Sequence, residues 1–182
     1  LCEVQWSKPE QKNYFNFLKR IPNLVGIYKL NNYNYARYLF DVSADFTSNP
    51  KDGSVDVKLS TLDKAPIHYT LDGSEPTPSS AVYSDILKIK QNVQLRAVVF
   101  RKQEASRMLK DEIRFSKSTL KPIKALQPLN EKYMFNGITT LVDGLHGNKN
   151  YKTGRWIAAY GNDMNALIDL EKSTTIQEVA IS

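Results

Sequence analysis

A chain of 182 residues, 41% hydrophobic and 24% charged, has the make-up of a folded protein and excludes a disordered one. The net charge of +6 is spread along the chain, its densest clusters being pairs such as Lys19-Arg20 and Arg101-Lys102. This is a solvated basic surface, too dispersed for a stripe that tracks nucleic-acid phosphates. The single cysteine, Cys2, excludes an intrachain disulfide, and no apolar run nears the roughly 18 residues of a membrane span.

The opening residues, Leu1 to Trp6, carry neither a basic region nor an apolar core of the kind a secretory leader needs. Ser7-Lys8-Pro9-Glu10 then has the spacing of a capping box, in which Ser7 and Glu10 satisfy each other's backbone amides. Tyr14, Leu18, Ile21, Val25 and Tyr28 follow at steps of three and four, one apolar stripe of a helix. Pro22 is expected to kink or split that helix after Ile21, and Asn31-Asn32 to stop it. The stripe requires a packing partner, and the rest of the chain offers no second helical stripe to supply one.

From about residue 35 the period becomes two. Arg37, Leu39, Asp41, Ser43 and Asp45 alternate with Tyr38, Phe40, Val42, Ala44 and Phe46, which predicts a half-buried strand. Further strands are expected over 55–59, 67–71, 86–89, 93–100 and 113–115, separated by turn clusters such as Asp72-Gly73-Ser74 and Pro76-Thr77-Pro78. About six or seven short strands with no helical pattern among them predict a β-sandwich over 35–120. A linker with Pro122 and Pro128 leads to four more expected strands, 139–142, 156–160, 166–170 and 176–181, around a polar loop at 145–154. Four short strands make a poor sandwich alone, and the final one ends without a turn. Both ends therefore read as cut, with aggregation, pairing or disorder expected beyond about residue 129.

Ile67-His68-Tyr69-Thr70-Leu71-Asp72-Gly73-Ser74-Glu75-Pro76-Thr77, continuing to Tyr83, closely resembles the small immunoglobulin-like sandwich that follows the catalytic barrel in many bacterial β-hexosaminidases. The run 93–100 is similar to that module's long closing strand. Upstream, Glu3-Val4-Gln5-Trp6-Ser7 and Tyr33-Asn34-Tyr35-Ala36-Arg37 resemble the last strand end and last helix of a glycoside hydrolase family 20 barrel. Downstream, Leu141-Val142-Asp143-Gly144, Arg155-Trp156, Leu167-Ile168-Asp169-Leu170 and Ile176-Gln177-Glu178-Val179 are similar to the opening of a discoidin-like module, the factor 5/8 type C jelly roll.

These resemblances together imply a mainly β chain in three parts. Residues 1–34 correspond to a helical remnant of the (β/α)8 barrel, 35–120 to the immunoglobulin-like sandwich, and 121–182 to a linker and a partial galactose-binding-like jelly roll. The implied parent is a periplasmic, cell-surface or secreted β-N-acetylhexosaminidase, which removes terminal N-acetylhexosamine from glycans by substrate-assisted catalysis. Its partners are those glycans and the remainder of the catalytic domain. Trp6 matches the family's sugar-stacking wall and is the substrate-binding candidate, although Lys8 stands where the family often has a carboxylate. Asp143 matches a calcium-holding turn and is the metal candidate, with Asn148 or Thr153 as helpers; one carboxylate is few for calcium, which takes about six to eight oxygens. Trp156 is expected in the core rather than on a sugar.

No residue is assigned a catalytic role. The family's acid and its acetamido-orienting partner form an adjacent Asp-Glu pair, and the one such dipeptide here is Asp111-Glu112. On a strand, neighbours face opposite ways and cannot converge on one substrate, so these are expected to be surface or edge charges. His68 and His146 lie in different parts, with His68 expected in a surface or interstrand role. The alternative reading is a non-catalytic glycan-binding or adhesive sandwich, or less favourably a fibronectin-like module that binds protein through its loops.

Overall fold

The computed structural model describes residues 8–35, 38–101, 104–147, 149 and 153–180. The chain forms two compact units, Leu1–Phe40 and Asp41–Ser182.

The first unit is built on helix α1, Tyr14–Leu30. It begins later than the expected capping box: Pro9–Gln11 is a separate 3-10 turn, preceded by Lys8 without a side-chain cap, and Ser7 lies outside the described residues. The cap is instead Asn13, whose extended backbone lets its side chain accept the Asn16 amide at 3.0 Å. Pro22 does not divide the helix. Its fixed φ is helical, so only one backbone hydrogen bond is forfeited while the flanking turns propagate. Asn31-Asn32 ends it as expected. Asn32 adopts a left-handed φ of 52°, its amide reaches the Lys29 carbonyl, and the Tyr33 amide reaches the Tyr28 carbonyl. That pair of reversed bonds is a Schellman cap. Of the expected stripe, Leu18, Ile21, Val25 and Tyr28 are the helix's covered line, whereas Tyr14, like Phe15 and Leu30, is exposed. No helix among the described residues is long and apolar enough to cross a membrane.

In the second unit the strands are β1 (Ser43–Asn49), β2 (Ser54–Ser60), β3 (His68–Thr70), β4 (Leu87–Ile89), β5 (Val93–Val98), β6 (Phe100–Arg101), β7 (Glu104–Ala105), β8 (Leu109–Ile113), β9 (Ile123–Ala125) and β10 (Ala166–Ile168). Two antiparallel three-stranded sheets, β1-β2-β4 and β3-β5-β8, supply one shared core. The alternation is legible strand by strand. Val55, Val57 and Leu59 from one sheet and Val93, Leu95 and Ala97 from the other are buried, and Ile113 of β8 is fully so.

Several boundaries differ from expectation. The strand expected from residue 35 starts only at Ser43, because Tyr38–Phe40 is a 3-10 turn. The expected 93–100 strand breaks at Val99, whose amide and carbonyl pair with Ser106 instead of continuing the β5 ladder. The 113–115 strand is really Leu109–Ile113, since pairing with β5 brings both Leu109 and Ile113 to the inner face.

The β3 turn behaves as its sequence dictates. The Asp72 carboxylate accepts the Ser74 amide and hydroxyl, and Gly73 takes a φ of 82° while bonding to the Gln94 carbonyl. The chain then returns so that the Tyr83 amide reaches the Ile67 carbonyl and the Tyr69 amide the Ala81 carbonyl.

The region from residue 121 onward departs most. Of its four expected strands, 166–170 appears as β10. Residues 139–142 fall in a 3-10 turn, Ile138–Val142, and neither 156–160 nor 176–180 forms a strand. The expected linker contributes β9, which pairs with β10 immediately after Pro122, the residue that has no amide to donate. Residues just before the polar loop attach to the sandwich. The Leu120 amide bonds to the Val142 carbonyl at 2.7 Å and the Arg114 amide to the Gly144 carbonyl at 2.9 Å. Leu145 bridges to Ile113 and packs on the core.

Candidate functional site

The β5–β8 register sorts side chains onto two faces. Leu95 stands opposite Asp111 on the core side, so Asp111 shares its face with Leu109 and Ile113. A carboxylate there needs a partner, and Arg155 supplies it. The guanidinium makes a two-pronged pair with both carboxylate oxygens at 2.8 and 2.6 Å. It also lies over the Phe46 ring of β1, 4.6 Å from the centroid. The two side chains are only 14% and 12% exposed. Of the two roles expected, Asp111 has the edge one: it sits on edge strand β8, and its pairing with Arg155 leaves both side chains largely shielded from water.

Glu112 points the other way, as alternation requires, and takes Arg114 as a two-pronged partner at 3.0 Å. Asp111 and Glu112 do not converge, and neither stands as half of a catalytic pair. On this outer face Gln94 faces Glu112 and Arg96 faces Lys110 across the ladder. With Arg114 and the exposed His146 they line an open concavity of about 450 Å³ that also reaches the Asp111–Arg155 pair around the edge strand. The hydrogen bond from Arg114 chiefly, with the nearby charges of Arg114, His146 and Arg96, holds the Glu112 carboxyl below its ordinary value. With the Asp111–Arg155 pair cancelling, three cations (Arg96, Lys110 and Arg114) confront one carboxylate, so the face is net positive.

Asp143, the metal candidate, is buried at the end of the Ile138–Val142 turn. One of its oxygens accepts the Leu145 amide at 2.8 Å, closing a tight turn through Gly144 at a φ of 79°. A Cβ on Gly144 would stand 3.1 Å from the Arg114 carbonyl oxygen, which explains the glycine there. Burial pushes the Asp143 carboxyl up to about 6, opposed by the Leu145 amide and by the charge of Arg155. Calcium calls for several converging oxygens. Among the described residues no group of three or more His, Cys, Asp or Glu side chains could hold a metal ion. Thr153 is exposed, and Asn148 lies outside the described residues.

Trp6, the sugar-stacking candidate, also lies outside the described residues. Trp156 is half-buried, its ring on Gly147, where an added Cβ would come within 2.4 Å of it. His68 has the interstrand role expected of it, its ring edge-on to Phe100 at 5.4 Å and its Nδ1 3.2 Å from the Ser80 carbonyl oxygen. Sequence reasoning missed the concavity. Its signal was present in the polar alternation of Gln94 and Arg96 on one run and Lys110, Glu112 and Arg114 on the other; the antiparallel register that brings them together was not.

Residues 47–110 match the family model described as the chitobiase/beta-hexosaminidase C-terminal domain. The matched stretch runs from the last three residues of β1 to the first two of β8 and contains β2, β3, β4 and β5 whole, hence most of both sheets of the sandwich. No curated protein matches the chain.

Proposed function

We propose that this chain is an accessory C-terminal region of a β-N-acetylhexosaminidase of glycoside hydrolase family 20, a secreted or cell-surface enzyme acting on terminal N-acetylhexosamine. The observation that carries the reading is the match of the sandwich core to the chitobiase/beta-hexosaminidase C-terminal domain. The helical first unit, with exposed apolar side chains such as Phe15 and Leu30, agrees with a segment that packs against a larger body, the end of the catalytic barrel. Residues beyond 121 form the start of a discoidin-like module in this reading, and Trp6 lines the sugar pocket.

The sandwich itself performs no hydrolysis. Substrate-assisted cleavage requires an acid and an acetamido-orienting carboxylate on the same side of the glycosidic bond, whereas Asp111 and Glu112 project to opposite faces and each is tied to an arginine. The test is hydrolysis of a nitrophenyl N-acetyl-β-glucosaminide by the protein encoded by the complete gene and, separately, by residues 1–182. Release by the former and none by the latter is the expected result. A complete protein that cleaves a different glycoside, or none, refutes the assignment.

A further inference from the structure

The outer face of the β5–β8 ladder carries an excess of positive charge. Arg96, Lys110 and Arg114 project onto it beside Gln94 and His146, with Glu112 as the single opposing charge. The concavity of about 450 Å³ falls within the roughly 300–1,000 Å³ usual for small-ligand clefts. Among the described residues no Phe, Tyr or Trp ring lines it, so a neutral pyranose would find no large stacking platform there. Planar guanidinium forks do match the two oxygens of a carboxylate or sulfate. Arg96 spends one donor on the Leu95 carbonyl at 3.1 Å, which leaves the rest of its fork for a ligand. Arg114 is occupied by Glu112, which therefore competes with any incoming anion for the same fork.

We propose that this face binds an acidic saccharide, a sugar unit bearing a carboxylate or sulfate, held by Arg96, Lys110 and Arg114 and oriented by Gln94 and His146. The anionic part of the assignment stands on the charges of the concavity; the saccharide part rests on the hexosaminidase reading above. Binding therefore adds to that reading a contact with glycan made by the sandwich itself.

The test is an NMR titration of residues 1–182 with a hyaluronan tetrasaccharide, a sulfated glucosamine disaccharide, neutral N-acetylchitotriose and inorganic sulfate, all at matched ionic strength. Shifts are expected at Arg96, Lys110, Arg114 and His146 with one or both acidic sugars, and the two arms tell carboxylate from sulfate recognition. Affinity should fall as salt rises. Arg96→Ala should weaken it about tenfold, the loss of one charge-assisted contact. Glu112→Gln should tighten it about two- to threefold by freeing Arg114, a direction that misfolding would not produce. Equal shifts with chitotriose, no shifts at these residues, or inorganic sulfate binding as tightly as the sugars would each overturn the proposal. Because nothing is hydrolysed in this titration, its failure is distinct from failure of the hexosaminidase assignment.

Discussion

Replacing Asp111 by asparagine isolates what the buried ion pair does for the fold. The substitution keeps shape and removes charge, leaving the Arg155 guanidinium 14% exposed over Phe46 with no carboxylate opposite. Breaking one side of a buried pair costs about 3–5 kcal/mol, because the surviving charge stays desolvated without compensation. With residual exposure at both partners, the lower end, about 3 kcal/mol, is expected. At a urea m-value of about 2 kcal/mol per molar, that shifts the unfolding midpoint down by about 1.5 M. Arg155→Leu should cost a similar amount by stranding Asp111. Asp111→Leu combined with Arg155→Leu should recover most of the loss, since neither charge remains to be solvated. Urea titrations of these variants and of Asp111→Leu alone, followed by far-UV circular dichroism, supply the leucine cycle and the Asp111→Asn loss beside it. A loss below about 0.5 kcal/mol for Asp111→Asn, the range of an exposed pair, would refute the argument that the Arg155 loop seals the sandwich edge.

Asp143 should make stability depend on pH. Its carboxyl stands at about 6 in the folded chain against an ordinary 3.8, so between those values the native state holds a proton that the unfolded state has lost. The associated stability is fully present below about pH 4 and is lost as pH rises to about 6, by up to about 3 kcal/mol. Asp143→Asn keeps an acceptor for the Leu145 amide and should be more stable than the native chain at pH 7 and similar at pH 4. A difference constant across this window in urea titrations would contradict the burial of the carboxyl. Gly147→Ala should push the Trp156 ring aside, given the 2.4 Å approach, and destabilise the chain by about 1–3 kcal/mol. Trp156 emission in a Trp6→Phe background reports the displacement, and an unchanged spectrum and midpoint would show that the ring does not pack on that glycine.

The sandwich was legible in sequence because its strands are half-buried. Val55, Val57 and Leu59, or Val93, Leu95 and Ala97, alternate with polar neighbours, and period two can satisfy only one buried face. The Asp72-Gly73 turn and the Asn31-Asn32 stop were legible for a similarly local reason: side-chain oxygens and left-handed backbone are properties of the residues themselves. The tail was less so. Apolar runs such as 139–142 and 156–160 have β-forming composition, yet a strand needs a neighbour for its amides: the first closes a 3-10 turn on itself, and the second sends the Ala158 amide to the Tyr133 carbonyl outside any ladder.

What the sequence alone determined, then, is which residues seek burial, where the chain turns, and that Asp111 and Glu112 must face apart. What tertiary structure alone decided is the company each charge keeps. Arg155 reaches Asp111 across 44 residues, and Arg96 meets Lys110 only through antiparallel register. Local periodicity assigns a side chain to a face, but a salt bridge or a charged concavity depends on distances between segments, and those are set by how the whole chain closes.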